Sequence, residues 1–313
     1  MKKISIVTPC FNEHDNIQEL YDRIKKSISN LNYDYEIIFV DNSSTDNSYK
    51  IYEQITSNDP KSKAIIMSRN FGSSQTSFLA GIKNATGDAI ILIESDLQDP
   101  PELIPKLIEK WEEGFDVVYA TRKKRRGSLI RRFFYKCFYV VFRWMSYLEI
   151  PLDSGDFSLI DKKIAEIIKK LPEKDIYIRG LRTWVGFKQT SIEYVRDDRI
   201  HGETSISFLD NFNWAKKAIV NFSYKPLEFI SKLSLITAAI TIIAAIVYVY
   251  FYFTKNMPKG FPTLLLAIFT LSTIQLIALG IIGEYLIRMF HEIKGRPSYI
   301  ISEIIQNKSS GDN

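Results

Sequence analysis

The segment "AIILIESDLQDPPEL", residues 89–103, carries an apolar run straight into Glu94, Asp96 and Asp99 before Pro100-Pro101 end the pattern. Crowded carboxylates repel one another, so acids gathered in this way call for a cation. Glu94 and Asp96 lie two residues apart, and on an extended chain they point the same way. Such a pair suits a hard divalent ion: Mg²⁺ is typically held by one or two carboxylates together with substrate phosphates. The expected ligand is then phosphorylated, most simply a diphosphate. An acidic turn before a helix, whose N-terminus favours Asp and Glu, has the same local composition. The acids at Asp41 and Glu13 and their expected place in the fold favour the site.

The elements that must position these acids are short and alternate in type. "KISIVTP", "YEIIFVD", "KAIIMS", "DAIILIE" and "FDVVYAT" read as strands, being β-branched and bounded by turn formers. "EHDNIQELYDRIKKSISN", "STDNSYKIYEQITS" and "SSQTSFLAGIKNA" have helical spacing, with start signals at Ser44 and Ser73. Strand–helix–strand alternation with continuous apolar strands predicts an α/β fold, a mostly parallel sheet covered on both faces. Ligands of such sheets sit beyond the carboxyl ends of the strands. That rule gathers Thr8-Pro9, Asp41-Asn42, Ser68-Arg69-Asn70 and Glu94-Ser95-Asp96 on one rim. There is no internal repeat, no G-x-G-x-x-G and no G-x-x-x-x-G-K-[ST], so neither a dinucleotide fold nor a P-loop is indicated. His14, His201 and His291 fall in unrelated contexts, and no nucleophile–histidine set stands out. Cys10 and Cys137 make no disulfide framework and have no metal-ligand spacing.

The net charge of +5 is mild but uneven: Arg122, Lys123, Lys124, Arg125, Arg126, Arg131 and Arg132 crowd together. A solvated charged loop would look the same. No nucleic-acid partner is expected. The opening "MKKISIVTPCFNE" lacks the apolar length of a signal peptide, which leaves the N-terminal part expected in the cytosol. The last third changes character. Residues 233–253 and 261–283 carry no charge, and each is long enough to cross a hydrocarbon core of about 30 Å as a helix. The short link "TKNMPKG" makes them an antiparallel hairpin. Basic residues before the first span, and Arg288, Lys294 and Arg296 after the second, place both ends in the cytoplasm; Lys255 and Lys259 in the link weaken this vote without reversing it.

"SIVTPCFNE", "FVDNSSTDNS", "SRNFG", "GDAIILIESDLQDPPE", "LDSGDFSLID", "RGLRTWVGFKQ" and "FSYKPL" follow one another in this order. Over nearly the whole chain they resemble the family 2 glycosyltransferases of GT-A fold that act on polyprenyl phosphates. That family includes the bacterial undecaprenyl-phosphate glycosyltransferases and dolichol-phosphate mannose synthase. The resemblance implies a Rossmann-like GT-A domain over 1–205, with an interfacial helix at about 128–147. It implies a juxtamembrane segment at 206–228, transmembrane helices at about 231–253 and 262–285 within 229–288, and a cytosolic tail at 289–313.

It also implies roles. Asp96 matches the metal ligand of a D-x-D motif, with Glu94 in the first place as nucleotide or metal contact and Asp99 as a further acid within reach of the metal. Thr8, Pro9, Asn12 and Glu13 fall in the first nucleotide loop. Asp41 and Asn42 follow the second strand, where base or ribose is contacted, and Arg69 lies near the donor phosphates. Asp156 matches the proposed catalytic carboxylate. Arg122, Arg126, Arg131 and Arg132 are the candidates for the acceptor phosphate and anionic lipid, since basic and aromatic residues together suit a helix in the headgroup layer. The implied cofactor is Mg²⁺ or Mn²⁺. The implied partners are a nucleotide sugar, a polyprenyl phosphate, membrane lipids and, as an assembly, a homotetramer.

The chemistry follows from charge as well. A leaving diphosphate needs neutralising, which a divalent ion does as a Lewis acid. A lipid phosphate has a second pKa of about 6 and is largely dianionic at neutral pH, so it needs little general-base help. Asp156 is then as much a positioning group as a base, and direct displacement at C1 inverts the anomeric centre. The chain departs from the family at Ser158, where "GDFRL" is common, and at Ser205-Ile206, where Lys-Tyr is common. Arg179, Arg182, Arg196, Arg199 or the 122–126 cluster are left to supply the missing charge. A processive polysaccharide synthase and a catalytically silent membrane scaffold remain as alternatives. Arg182-Thr183-Trp184 only echoes the Q-x-x-R-W of processive synthases.

Overall fold

The structure, a computed structural model, describes residues 1–122, 151, 154–174, 176–195, 223–254 and 260–307. These fall into two compact units. The first holds the described residues up to 195 together with 296–307, and the second holds 223–254 and 260–295.

The first unit is built on β1 (Lys3–Cys10), α1 (His14–Ile28), β2 (Asp34–Asp41), α2 (Ser48–Asn58), β3 (Ser62–Met67), α3 (Ser74–Asn84) and β4 (Ala89–Leu92). It continues with α4 (Ile104–Glu112), β5 (Val117–Arg122), β6 (Ser154–Asp161), α5 (Lys162–Lys170), α6 (Ile178–Trp184) and β7 (Gln189–Tyr194), and closes with β8 (Ile301–Gln306). The eight strands form one sheet in the order β7-β5-β6-β4-β1-β2-β3-β8. β1, β2, β3 and β4 run parallel, as do β5 and β7, while β6 and β8 run antiparallel to their neighbours. The mostly parallel α/β sheet expected from the alternation is what forms.

Alternation along the strands divides the core. Ile4, Ile6, Ile37, Phe39, Ala89 and Ile91 face a cluster completed by Ile17, Leu20 and Ile24 of α1 and Leu107 and Trp111 of α4. Val7, Val40, Ile90 and Leu92 are equally buried on the other face, where α3 packs on β1 and β2 and α6 packs on β6. Ser73 caps α3 as its sequence suggested, its side chain accepting from Gln75 N at 3.2 Å. The start expected at Ser44 is corrected: α2 begins at Ser48, and the Ser44 hydroxyl oxygen, instead of capping it, accepts from Asn12 N while the Ser44 N–H and O–H go to Asp41.

A second correction concerns the acids. Glu94 and Asp96 are not on a strand, since β4 stops at Leu92. The β4–β6 register pairs Leu92 with Ser158. Two more residues of ladder would set Glu94 opposite Asp156, and like charges directly opposed are unfavourable. The chain bends instead.

In the second unit α7 (Lys225–Thr254) and α8 (Phe261–Ile293) are both long and apolar enough to cross a membrane. Thr237, Thr241 and Thr273 return their hydroxyls to carbonyls one turn back at 2.8 Å, so these polar groups need no water. Ile236, Ile240, Ile243 and Ile246 lie open on the surface of α7, a patch that a water-soluble chain rarely shows.

Candidate active site

The carboxyl ends of β1 and β2 bring the first two loops together. Cys10 pairs with Asp41 in the parallel register. Asn12 then accepts from Thr45 N at 2.8 Å and donates its own N–H to Ser44 Oγ at 2.9 Å, which ties the β1 loop to the β2 loop. Asp41 is buried and accepts from Ser44 N at 2.9 Å and Tyr52 O–H at 3.2 Å. Burial nevertheless raises its pKa, opposed by those hydrogen bonds. Asn42, also buried, donates to Asn70 Oδ1 at 3.1 Å and accepts from Phe71 N at 2.9 Å, binding in the β3 loop. Arg69, exposed on that loop, stacks 4.1 Å from the centre of the Phe71 ring. Thr8 is buried in β1 and its hydroxyl has no hydrogen-bond partner among the described residues. Pro9 lies beside Val40, and half-buried Glu13 accepts from Asn16 at 2.5 Å.

The acid cluster lies on the same rim. Asp96, Asp99 and Asp156 are buried and Glu94 is half-buried. Burial pushes the Glu94 carboxyl well above the usual range, and Asp156, Asp96 and Asp99 add to the effect. Asp96 accepts from Gln98 N at 3.2 Å, and Asp99 accepts from the Tyr194 hydroxyl. Asp156 pairs with Arg179 Nε at 3.1 Å. The buried Cys10 thiol, raised by desolvation, has Tyr52, Asp41, Glu13 and Ser95 as neighbours and so sits between the two clusters. Asn12, Ser43 and Leu97 all hold positive φ, at 54°, 63° and 57°. Such backbone costs of order 1–3 kcal/mol per residue and gathers where function constrains the chain.

The rim thus assembles the nucleotide-loop candidates, Glu94, Asp96, Asp99 and Asp156. Arg122 closes β5 half-buried, near Gly155 and Tyr194. Arg126, Arg131 and Arg132, with the helix expected at about 128–147, lie outside the described residues, as do Arg196, Arg199, Ser205 and most of 206–228. Sequence reading missed Tyr194 and Tyr52 as partners of the acids. The alternation in "QTSIEY" was the available signal for β7.

A divalent ion fits this donor set in one way only. Among the described residues no three acidic, His or Cys side chains form a ready metal cluster. The mutual repulsion at Glu94 is what a cation would relieve, with substrate phosphates completing its coordination.

Residues 5–168 match the family model described as glycosyl transferase family 2. The chain belongs to glycosyl transferase family 2. It is 41% identical to the uncharacterized glycosyltransferase YkcC of Bacillus subtilis (strain 168), over 97% of this chain and 95% of that one. It is 37% identical to a prophage bactoprenol glucosyl transferase homolog of Escherichia coli (strain K12), over 96% and 99%. It is 36% identical to the bactoprenol glucosyl transferase of Shigella phage SfII, over 96% and 98%. The candidate residues of this family 2 glycosyltransferase lie beyond the carboxyl ends of β1, β2 and β4. An open cleft lined by Lys2, Asp88, Trp111 and Asp161 is at the other end of the strands.

Proposed function

We propose that this enzyme moves one sugar from a nucleotide-diphospho-sugar, with uridine as the first nucleoside to test, to the phosphate of undecaprenyl phosphate. The observation that carries the reading is the gathering of Glu94, Asp96, Asp99 and Asp156 beside the Asp41–Asn42 loop, in a chain with two long apolar helices. Relatives named bactoprenol glucosyl transferases support the lipid acceptor and make glucose the first sugar to try.

In this reading Asp41, Asn42, Asn12 and Glu13 hold the nucleoside, with Thr8 and Pro9 as the floor of that loop and Arg69 toward the phosphates. Asp96 would be the protein ligand of Mg²⁺ or Mn²⁺, with Glu94 and Asp99 as nearby acids and phosphate oxygens completing the set, and the ion would neutralise the diphosphate as a Lewis acid. A lipid-phosphate oxygen bonds to C1 as the C1–oxygen bond to the diphosphate breaks. The nucleoside diphosphate departs and C1 inverts. The dianionic acceptor has no proton to give up at neutral pH, so Asp156 works by orienting the acceptor and steadying positive charge at the sugar. Arg122, Arg126, Arg131 and Arg132 hold the acceptor phosphate. Both helices span the cytoplasmic membrane, and the site and both ends face the cytosol.

A donor panel tests this. Detergent-purified protein is mixed with undecaprenyl phosphate, Mg²⁺ or Mn²⁺ and one nucleotide sugar at a time, and released nucleotide is followed. Release from one donor, dependent on lipid and metal, is expected. Release that ignores the lipid contradicts the reading.

A further inference from the structure

The largest fully buried side chain of the described residues is a cation, Arg182. It stands on α6, one turn after Arg179, and α6 packs on β6. The two arginines grip the start of β6 residue by residue. Arg179 donates to the Ser154 carbonyl at 3.3 Å and pairs with Asp156 at 3.1 Å. Arg182 Nη1 donates to the Gly155 carbonyl at 3.4 Å, and its guanidinium lies 4.8 Å from the centre of the Tyr119 ring. Its Nε and Nη2 have no hydrogen-bond partner among the described residues.

A guanidinium carries five donors, and burying one with so few partners is unfavourable without an opposing charge. The opposing charge is Asp156. It acts on Arg182 against burial, with Tyr119 and Tyr177 helping and Arg179 opposing, and the net result is a guanidinium lowered to about 10. Arg179 is a quarter exposed at its outer part, although the Nε that faces Asp156 is buried, so it shares the carboxylate with Arg182 and part of its own charge still meets water. Arg182 is buried throughout and has no such outlet.

The room for this cation comes from a small neighbour. Tyr119 pairs with Ser158 across the strands, so the two share a face of the sheet. Ser158 is buried and turns its hydroxyl back to the Asp156 carbonyl at 2.9 Å. A long side chain at 158 would compete for the space over Tyr119.

We propose that Arg182 is a positioning residue, supplying from α6, over the space beside Ser158, the buried positive charge that holds the Asp156 carboxylate in the site against Glu94, Asp96 and Asp99. This rests on the reading of Asp156 as a site residue. Arg182 acts through that carboxylate and reaches neither donor nor acceptor.

The test has two arms on the full-length protein. In the first, Asp156→Asn is melted in the wild-type and in the Arg182→Met background. Removing the carboxylate leaves both arginines without it in the wild type, but in the Arg182→Met background it leaves only Arg179, which is a quarter exposed. A loss of about 5 °C is expected in the wild type and less than half of it in the second background. Equal losses overturn the proposal, whether or not the protein transfers sugar. In the second arm, Arg182→Met is expected to lower kcat about 100-fold with donor KM within about threefold. Ser158→Arg with Arg182→Met returns the charge from the strand and is expected to recover at least about tenfold. A folded Arg182→Met with wild-type kcat overturns the proposal, as does a folded double variant no better than the single. Arg182→Gln replaces Arg182→Met in both arms if the latter does not fold. A wild type that transfers nothing contradicts the functional reading, and the melting arm still decides the role of Arg182.

Discussion

Asp41 shows what one carboxyl does at this rim. It is buried, yet it gathers Ser44 and Tyr52 and so fixes the loop that Asn12 joins from β1. Asp41→Asn keeps the shape and loses the charge-assisted bonds, and donor KM is expected to rise about tenfold, or ~1.4 kcal/mol, with kcat little changed. A KM titration on purified protein checks this. Glu36, at the far end of the strands, is a stabiliser of another kind. Although burial opposes it, bonds from Ser5 and Thr86 and the charge of Lys63 hold its pKa down to about 2. A depressed carboxyl contributes its stability in full above the unfolded value near 4.5. That contribution, roughly 3 kcal/mol at most, is lost as pH falls toward about 2. Glu36→Gln is therefore expected to melt several degrees lower at pH 7 and to converge with the wild type only as pH falls to about 2, read by melting across pH.

At the scale of elements, close packing and edges decide what is tolerated. A Cβ on Gly87 would meet Ser5 N at 2.7 Å and Ala89 O at 2.9 Å, both backbone atoms that cannot swing away. Gly87→Ala is expected to cost about 1–3 kcal/mol and lower the melting temperature accordingly. β8 covers the outer edge of β3, and Ser68 N donates to Ile300 O at 2.9 Å where that edge meets the rim. Removing residues 300–313 would bare a strand edge. Light scattering is expected to show aggregation, and activity is expected to fall with it.

β8 and β6 also mark where sequence reading ran short. The five strands of the first 122 residues were legible because each is a continuous apolar run between turn formers. β8, "ISEIIQ", is short, largely exposed and far from its partner in sequence, so no local pattern announces it. β6 mixes Ser, Gly and Asp with its apolar residues because its outer end carries Asp156. The acids themselves stood out, since a buried run ending in carboxylates has few structural uses. Their bend after Leu92 did not, because it follows from a register with β6 that only the folded sheet reveals.

At the scale of the whole molecule, the proposed reaction needs both units: a rim of acids for a water-soluble donor and two apolar helices for a lipid-borne phosphate. The link between the helices is the segment to probe: a cysteine replacing Asn256, in an otherwise cysteine-free chain, is expected to react with a membrane-impermeant maleimide added outside intact cells. One measurement tests the central claim most directly. The lipid fraction from protein, undecaprenyl phosphate, Mg²⁺ and UDP-glucose, with other nucleotide sugars in parallel, is analysed by mass spectrometry beside the Asp96→Asn variant. The account predicts undecaprenyl phosphate heavier by one sugar with the wild type and at least about 10²-fold less with the variant. Free sugar, a ladder of added sugars, unmodified lipid with every donor, or a product that survives loss of the Asp96 charge would contradict it.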